Sequence, residues 1–448
     1  MLSPDQAADR AADLVARARR AGADAADAVY SGSGSTEVQV RLGALEDVQR
    51  SEGEDVSLRV FVGSRSASSS TSDLSPRALD ALAERCVAMA GQAPEDAYAG
   101  LAPEELLMRG DAPVLDIADD SDPTPEALRA MALEAEDAAR AVPGVTNSEG
   151  GGASAGRAAF ALATSHGFAR GYGGSSYGVF ASVLAGEGSG MQRDYEHHSA
   201  RHLVALEGAA DIGRRAGEKA VARLNPVKLK SGPMAVVFDP RAGSSLLGHL
   251  AGAVMGQAIA RKTSFLQDRL GHAVFASGVT VVDDPHRLAG LRSRPFDGEG
   301  LPTRRICLID KGVLTGWLVD SASGRQLGLA PTGHAVRGGA GGPGTGTTNL
   351  YMEAGEIDPH ALIADIVEGV YVNELIGMGV NGLTGDYSRG ASGFVIRNGK
   401  RAEPVAEITI AGNLKEMFAA LIPANDLEFR NAVNVPTLRI DGMTVAGD

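Results

Sequence analysis

The sequence predicts an α+β protein of two domains. Helices and an antiparallel sheet come first, followed by a mixed antiparallel, barrel-like sheet with helices. Three observations lead there. At 448 residues the chain exceeds a common domain length of about 150 residues. Its apolar periodicity switches repeatedly between the 3.6-residue and two-residue repeats of helix and strand. A Pro/Gly-punctuated segment, Asn225-Pro226-Val-Lys-Leu-Lys-Ser-Gly-Pro, marks a boundary between residues 1–225 and 226–448.

In the first part, Ala, Leu and Val recur at helical spacing from Asp5 to Gly22, and Gly22 stops the helix. Thr36–Leu42 and Asp55–Val62 alternate apolar and polar residues, as half-buried antiparallel strands do. Helical spacing returns over Arg77–Met89 and Glu126–Ala141. From Gly144 to about Ala200 a Gly/Ala/Ser-rich stretch predicts a meander of hairpins, closed by a helix over Leu203–Leu224. Beyond the boundary, Met234–Phe238 predicts a short buried strand. Ala242–Ala260 contains no Asp, Glu, Lys or Arg and approaches the length of a membrane span. Its serines, His249, Gln257 and glycines, flanked by Arg241 and Arg261–Lys262, identify it instead as a buried helix. Asp310-Lys311-Gly312 and Asn398-Gly399 each sit between alternating runs and predict hairpin turns. Asp358–Ile376 reads as helical, with Asp358-Pro359 at its start.

Composition narrows the function. Aromatics make up only 4% of the chain and glycines number 58, so Ala, Val and Leu must fill the core around many tight turns. A net charge of −14 without a Lys/Arg run argues against a nucleic-acid surface, where neutralising phosphate dominates affinity. Cys86 and Cys307 form neither a disulfide framework nor a Cys-rich metal site. With no signal-peptide pattern at the acidic start, a cytoplasmic protein without membrane contact is expected.

Several strings suggest chemistry. Gly152–Gly156 and Gly174–Gly178 match the nucleophile-elbow pattern around Ser154 and Ser176, but strand-like sequence follows where a helix is required. Gly338–Gly346 looks like a phosphate cradle, yet no Gly-Lys-Ser/Thr follows it; it reads as a loop packed closely against other backbone. His197, His198 and His202 form the densest histidine cluster, and on a helix the last two would share a face as zinc ligands do. None of the nine histidines is followed by Glu, so neither HExxH nor HExxxH occurs. Polar residues also converge in Gly385-Asp386-Tyr387-Ser388-Arg389-Gly390, in Arg261-Lys262-Thr263-Ser264 and in Arg294–Gly300. Loops of that composition bind substrates or subunits, or hold internal ion pairs.

Taken in order, a set of strings resembles the TldD/PmbA family, and within it the PmbA (TldE) branch. They are Met191-Gln-Arg-Asp-Tyr, Gly248-His-Leu, Arg261-Lys-Thr-Ser-Phe-Leu, Arg294-Pro-Phe-Asp-Gly-Glu-Gly and Ser323-Gly-Arg-Gln-Leu-Gly-Leu. Thr332-Gly-His-Ala, Gly346-Thr-Thr-Asn-Leu, Thr384-Gly-Asp-Tyr-Ser-Arg-Gly-Ala-Ser-Gly-Phe and Glu407-Ile-Thr-Ile-Ala-Gly-Asn-Leu-Lys continue the series. The resemblance is dense over about residues 190–420. It implies a cytosolic heterodimer that acts as a zinc metalloprotease on unfolded or small peptides, maturing peptide antibiotics and degrading an antitoxin. In such a pair the TldD-like subunit holds zinc through a helical HExxxH string and a distant Cys, and the metal activates water for hydrolysis.

This chain departs from that ligand set. With His249 as first histidine, Leu250 and Val254 stand at the Glu and second His; with His249 as second, Ser244 and Ser245 replace His and Glu. No Cys follows Cys307. The resemblance therefore implies a subunit without catalytic or metal residues of its own, with zinc expected in a TldD-like partner. Its expected role is to shape a peptide channel or subunit interface through His249, Arg261, Lys262, Asn349, Asp386, Tyr387 and Arg389. Peptides adding as strands along Gly338–Thr348 are one route to sequence-tolerant binding. A homodimer remains open for the isolated chain. The competing expectations are a homodimeric peptide-binding or scaffold protein without proteolysis, and a self-sufficient metallohydrolase using His197, His198 and His202.

Overall fold

The computed structural model describes residues 1–339 and 341–447. Helix α1 (Pro4–Arg20) starts at a reciprocal cap in which the Ser3 hydroxyl accepts from the Gln6 N–H and the Gln6 side chain accepts from Ser3. It lays Ala7, Ala11, Leu14 and Ala18 onto a six-stranded antiparallel sheet. The sheet contains β1 (Ala25–Arg41), β2 (Ala44–Val62), β3 (Arg65–Thr71), β4 (Val145–Thr164), β5 (Ala169–Ala185) and β6 (Gln192–Ala200) in the order β3-β2-β1-β4-β5-β6. The strands predicted at 36–42 and 55–62 are thus the ends of much longer ones. Leu42 and Gly43 turn the β1–β2 hairpin at φ 52° and 77°. The buried Glu136 carboxylate secures that turn by accepting from both backbone N–H groups, at 2.7 and 2.8 Å.

Helix α2 (Pro76–Gln92) packs on the same cluster as α1, while α3 (Pro125–Arg140) and α4 (Ala209–Ala222) cover the other end of the sheet. Gly213 lets α3 and α4 touch backbone to backbone, because a Cβ there would lie 1.9 Å from the Ala135 carbonyl oxygen. The helix predicted from Leu203 begins only at Ala209; Leu203–Ala205 form a single 3-10 turn. Gly208 opens α4, and its carbonyl accepts from the Asp211 and Ile212 N–H groups.

The C-terminal half is built on a closed five-stranded barrel. Its strands are β7 (Gly232–Phe238), Glu368–Ile376, Asp386–Arg397, Lys400–Asn413 and Leu438–Ala446, closed where Thr409 to Ala411 pair with Thr444 to Ala446. Only β7 and Glu368–Ile376 run parallel within it. Helix α5 (Pro240–Ala253), capped by Asp239, packs Leu246, Leu247 and Leu250 into the same core as Val236, Phe238, Val372 and Ile410. The uncharged stretch is therefore buried as expected, but Val254 and Met255 divide it from a second short helix, Gly256–Ala260. No helix of the described residues is long and apolar enough to cross a membrane.

One expectation is overturned. Of Asp358–Ile376, only Pro359–Ile363 is helical, and Glu368–Ile376 is a barrel strand. Leu362, Ile363, Ile366 and Val370 imitate helical spacing, but Val370-Tyr371-Val372 is a β-favouring run that pairs on both sides, with β7 and with Asp386–Arg397. Both predicted hairpins are present: Lys311 and Gly312 turn at φ 48° and 88°, Asn398 and Gly399 at 48° and 76°. Ser154 and Ser176 lie in mid-strand on β4 and β5, so neither sits on a strand-to-helix elbow. In the glycine-rich loop, Ala335–Val336 pairs with Gly344–Thr345, while Ala340 lies outside the described residues.

The two halves meet along a polar and aromatic seam. Phe160, Phe168 and Tyr172 of the sheet surround Phe296, with ring centroids 5.0 to 6.3 Å apart. Beside them Asp27 of β1 bridges Arg59 of β2 and Arg337. Arg325 caps three carbonyl groups, those of Tyr98, Gly100 and Leu101, at 2.8 to 3.1 Å.

Candidate functional site

Helix α5 and the barrel strand Asp386–Arg397 bring three of the seven expected residues together. Tyr387 is 2% exposed, and its ring stands edge-on to His249 with centroids 6.0 Å apart. Neither the Tyr387 hydroxyl nor His249 Nε2 has a hydrogen-bond partner, although both atoms are buried. Burial pushes the phenol well above its ordinary range and the imidazole below its own, and the nearby Arg389 guanidinium further opposes protonation of His249. His249 is thereby held neutral. Arg389 Nε donates to the Ile376 carbonyl at 3.3 Å. That bond places it beside an exposed apolar loop carrying Ile376, Met378 and Leu383, which are 60, 88 and 57% exposed.

Around this trio the loop is tightly braced. Asp386 is exposed and accepts from Thr384 Oγ1 at 2.7 Å and Asn413 Nδ2 at 3.1 Å, which hold its carboxyl below the usual range. Phe265 N–H donates to the Gly382 carbonyl at 2.9 Å, tying the Arg261–Lys262 segment to the same loop. Arg261 and Lys262 are both exposed, and Lys262 adopts a left-handed φ of 57°. Asn349 is different: it is 2% exposed, and its amide bonds the Asp284 carbonyl, Ser293 Oγ and the Arg292 N–H at 2.7 to 3.0 Å. It braces loops along the seam, and none of those partners belongs to the His249 group.

The histidine cluster does not converge. His197 and His198 are successive residues of β6, so their side chains leave opposite faces of the sheet. His198 Nδ1 accepts from the Glu207 N–H at 3.2 Å, while His202 Nε2 lies 2.9 Å from the Asp116 carbonyl. The helical geometry that would align His198 with His202 is absent here. Among the described residues, no group of three or more His, Cys, Asp or Glu is placed to hold a metal ion. On and just after α5, at the positions the resemblance assigns to zinc ligands, Leu250 and Val254 are fully buried in the barrel core. His249 faces a phenol and a guanidinium rather than a carboxylate or thiolate, and Cys307 Sγ is turned to the Ile309 carbonyl at 3.1 Å. That donor set does not fit zinc.

Fold and site together define an α+β protein whose C-terminal half is a closed five-stranded barrel, with the His249 group between α5 and one barrel strand. Three family models match the chain: PmbA/TldA metallopeptidase domain 1 over residues 26–90, the central domain over 118–224 and the C-terminal domain over 231–447. A metalloprotease PmbA of Escherichia coli O157:H7 is 35% identical over 95% of this chain and 92% of its own length. A Bacteroides thetaiotaomicron crystal structure with the provisional description "modulator of DNA gyrase" superposes with a TM-score of 0.92 at 27% identity, covering both chains fully. TldE of Thermococcus kodakarensis shares the fold, with a TM-score of 0.87 at 22% identity over 97% of this chain and 99% of its own. The chain belongs to the PmbA/TldD metallopeptidase family.

Sequence reasoning missed one feature of the surroundings. Asn373, in the strand Glu368–Ile376, is the extra residue where pairing shifts between Val372 and Glu374. A bulge depends on two strands at once, and no signal in a single strand reveals it.

Proposed function

We propose that this protein is the TldE/PmbA-like subunit of a cytoplasmic heterodimeric zinc metalloprotease that cleaves unfolded or small peptides. In this reading the TldD-like partner supplies the zinc and the water it activates. This chain supplies a wall of the peptide channel. The observation that carries it is the substitution of the zinc helix: Leu250 and Val254 are fully buried where a carboxylate and an imidazole would be needed. The exposed Ile376, Met378 and Leu383 beside Arg389 supply apolar area for a subunit contact.

What the residues do follows from their chemistry. His249, held neutral, and Tyr387 pack edge-on in the core beside Arg389 and support it from within. Arg389 offers a charge and a fork of N–H donors to a carboxylate or carbonyl. Reconstitution with a TldD-like chain tests the reading, alongside the zinc content of this chain purified in zinc-containing buffer. Near-zero zinc, no cleavage alone and cleavage of an unfolded peptide by the pair are expected. In the same assay Arg389→Ala and Asp386→Ala should weaken assembly or cleavage while the circular dichroism spectrum stays unchanged. About one tightly held zinc per chain, with cleavage by the isolated chain, would overturn it. Absence of cleavage with any partner would instead favour the homodimeric binding or scaffold protein.

A further inference from the structure

The N-terminal half has an open sheet edge, on the distal part of β2. We propose that this edge takes an extended basic segment of another protein chain as an added strand, with Lys or Arg side chains meeting Asp47 and Asp55. The surface is separate from the His249 group and goes beyond the subunit reading.

Unequal strand lengths create the edge. β2 runs from Ala44 to Val62, but β3 pairs only with Val56–Val62. Among the described residues nothing pairs with Ala44–Asp55 on the side away from β1. Every residue from Ala44 to Gly53 is exposed, so neither face of this stretch is covered. The hairpin shifts register between Gln39 and Val40 and leaves Glu46 over, whereas Asp47–Asp55 pairs regularly with Ser31–Gln39. That gives about 30 Å of regular strand whose outward N–H and C=O groups await a partner. Glu136 fixes the turn at Leu42 and Gly43, so the edge is in place before any partner arrives.

Side-chain alternation names the partner. From Ala25 to Gln39, β1 pairs in unbroken register with Asp47 to Phe61, so the odd-numbered residues of both strands share one face. Farther along, that face carries Asp27, which bonds Arg337, and Val29, which clusters with Phe296 of the C-terminal half. On the distal stretch it carries the carboxylates of Glu37, Asp47 and Asp55 and no Lys or Arg. Glu37 accepts from Gln39 Nε2 at 2.8 Å. The carboxylates on or next to the other face are engaged: Glu46 with Arg41, Glu52 with Arg50 and Glu54 with the Met1 ammonium. Asp47 and Asp55 have no ion pair or hydrogen bond among the described residues, and they bracket the regular stretch.

Unlike charges facing each other on adjacent strands stabilise a sheet, and like charges destabilise it. Pairing this stretch in full with a second copy of itself would set Asp47 of each copy opposite Asp55 of the other. Charged edges ordinarily keep other strands off. Here the free charges have one sign and lie on one face, so what excludes a second copy selects a basic strand.

The test uses the full chain and the fluorescein-labelled nonapeptide Lys-Thr-Val-Thr-Val-Thr-Val-Thr-Lys, read by fluorescence anisotropy against the same peptide with Glu at both ends. The basic peptide should bind about tenfold more tightly. Asp47→Lys combined with Asp55→Lys should reverse the order. Both positions are exposed, and circular dichroism melting checks that the fold is retained. Two further basic peptides carry backbone N-methyl groups on alternate residues, one on the odd set and one on the even. An added strand uses the N–H groups of only one set, so one peptide should bind as the parent does and the other should not. No binding of either parent peptide, equal binding of the two methylated ones, or an order unchanged by the double substitution would overturn the proposal. So would a dimer of the isolated chain in sedimentation velocity that the double substitution dissolves, since a second copy would then hold the edge.

Discussion

Replacing Asp27 with Ala should destabilise the protein more than any surface substitution, because Asp27 is the single anion between two buried guanidiniums at the seam. Asp27 is 1% exposed; the side chains of Arg59 and Arg337 are 12% and 6% exposed. Arg59 Nε donates to Oδ2 at 3.0 Å and Arg337 Nη1 to Oδ1 at 3.0 Å. Arg337 Nη2 also lies 3.0 Å from Oδ2, but at an angle too poor for a hydrogen bond, so its contribution is charge alone. Removing one member of such a buried cluster strands the others, at a cost of about 3–5 kcal/mol. The carboxyl's own pKa carries the same sign. Burial would push it up, but Arg337 and Arg59 outweigh burial and hold it below the usual carboxylate range. Because the folded value lies below the unfolded one, the stabilisation is complete above the unfolded pKa of about 3.9 and is lost as pH falls through the folded value. Urea unfolding followed by circular dichroism at pH 7 should show the midpoint of Asp27→Ala well below that of wild type. Asp27→Asn, which keeps the shape and one acceptor, should fall between them. The gap between wild type and Asp27→Ala should narrow as pH falls below about 3.9. A loss under about 1 kcal/mol at pH 7, or an undiminished gap at low pH, would refute the reasoning.

Three further outcomes are expected. Glu299 is 3% exposed and burial, with the neighbouring Asp297 charge, raises its pKa to about 7. The folded state then holds a proton that the unfolded chain releases, so stability should fall as pH rises from about 4.5 to about 7, by up to about 3 kcal/mol; Glu299→Gln should flatten that slope in urea titrations at several pH values. Gly213→Ala pushes a Cβ to 1.9 Å from the Ala135 carbonyl oxygen and should cost about 1–3 kcal/mol by prising α4 from α3, read as a lowered melting temperature. Tyr387→Phe removes a buried hydroxyl that has no partner and should leave the isolated chain equally stable or stabilise it by about 1 kcal/mol. A chain destabilised by more than that amount would show the hydroxyl to be satisfied internally.

Local chemistry made parts of this fold legible before any coordinates. The apolar spacing from Asp5 to Gly22 marks α1, Asn398-Gly399 turns its hairpin, and the alternation in β1 and β2 marks a half-buried sheet, because each signal is complete within a few residues. The family strings likewise located the His249, Tyr387 and Arg389 group, which α5 and one barrel strand bring together. What escaped is decided by partners distant in sequence. Glu368–Ile376 was predicted as helix because its apolar spacing fits one, and only closure of the barrel between β7 and Asp386–Arg397 makes it a strand.

The same cause separates Asn349 from Asn373. Asn349 sits in a string that resembles the family's and is expected at a channel or interface; its amide bonds Arg292, Asp284 and Ser293 and braces loops along the seam. Asn373 belongs to no such string, but a one-residue slip between two strands leaves it out of the pairing, with its amide oxygen buried and unmet. An asparagine in sequence is equally suited to both roles. Whether it braces loops or stands unmet depends on whether the fold supplies partners from strands and loops distant in sequence.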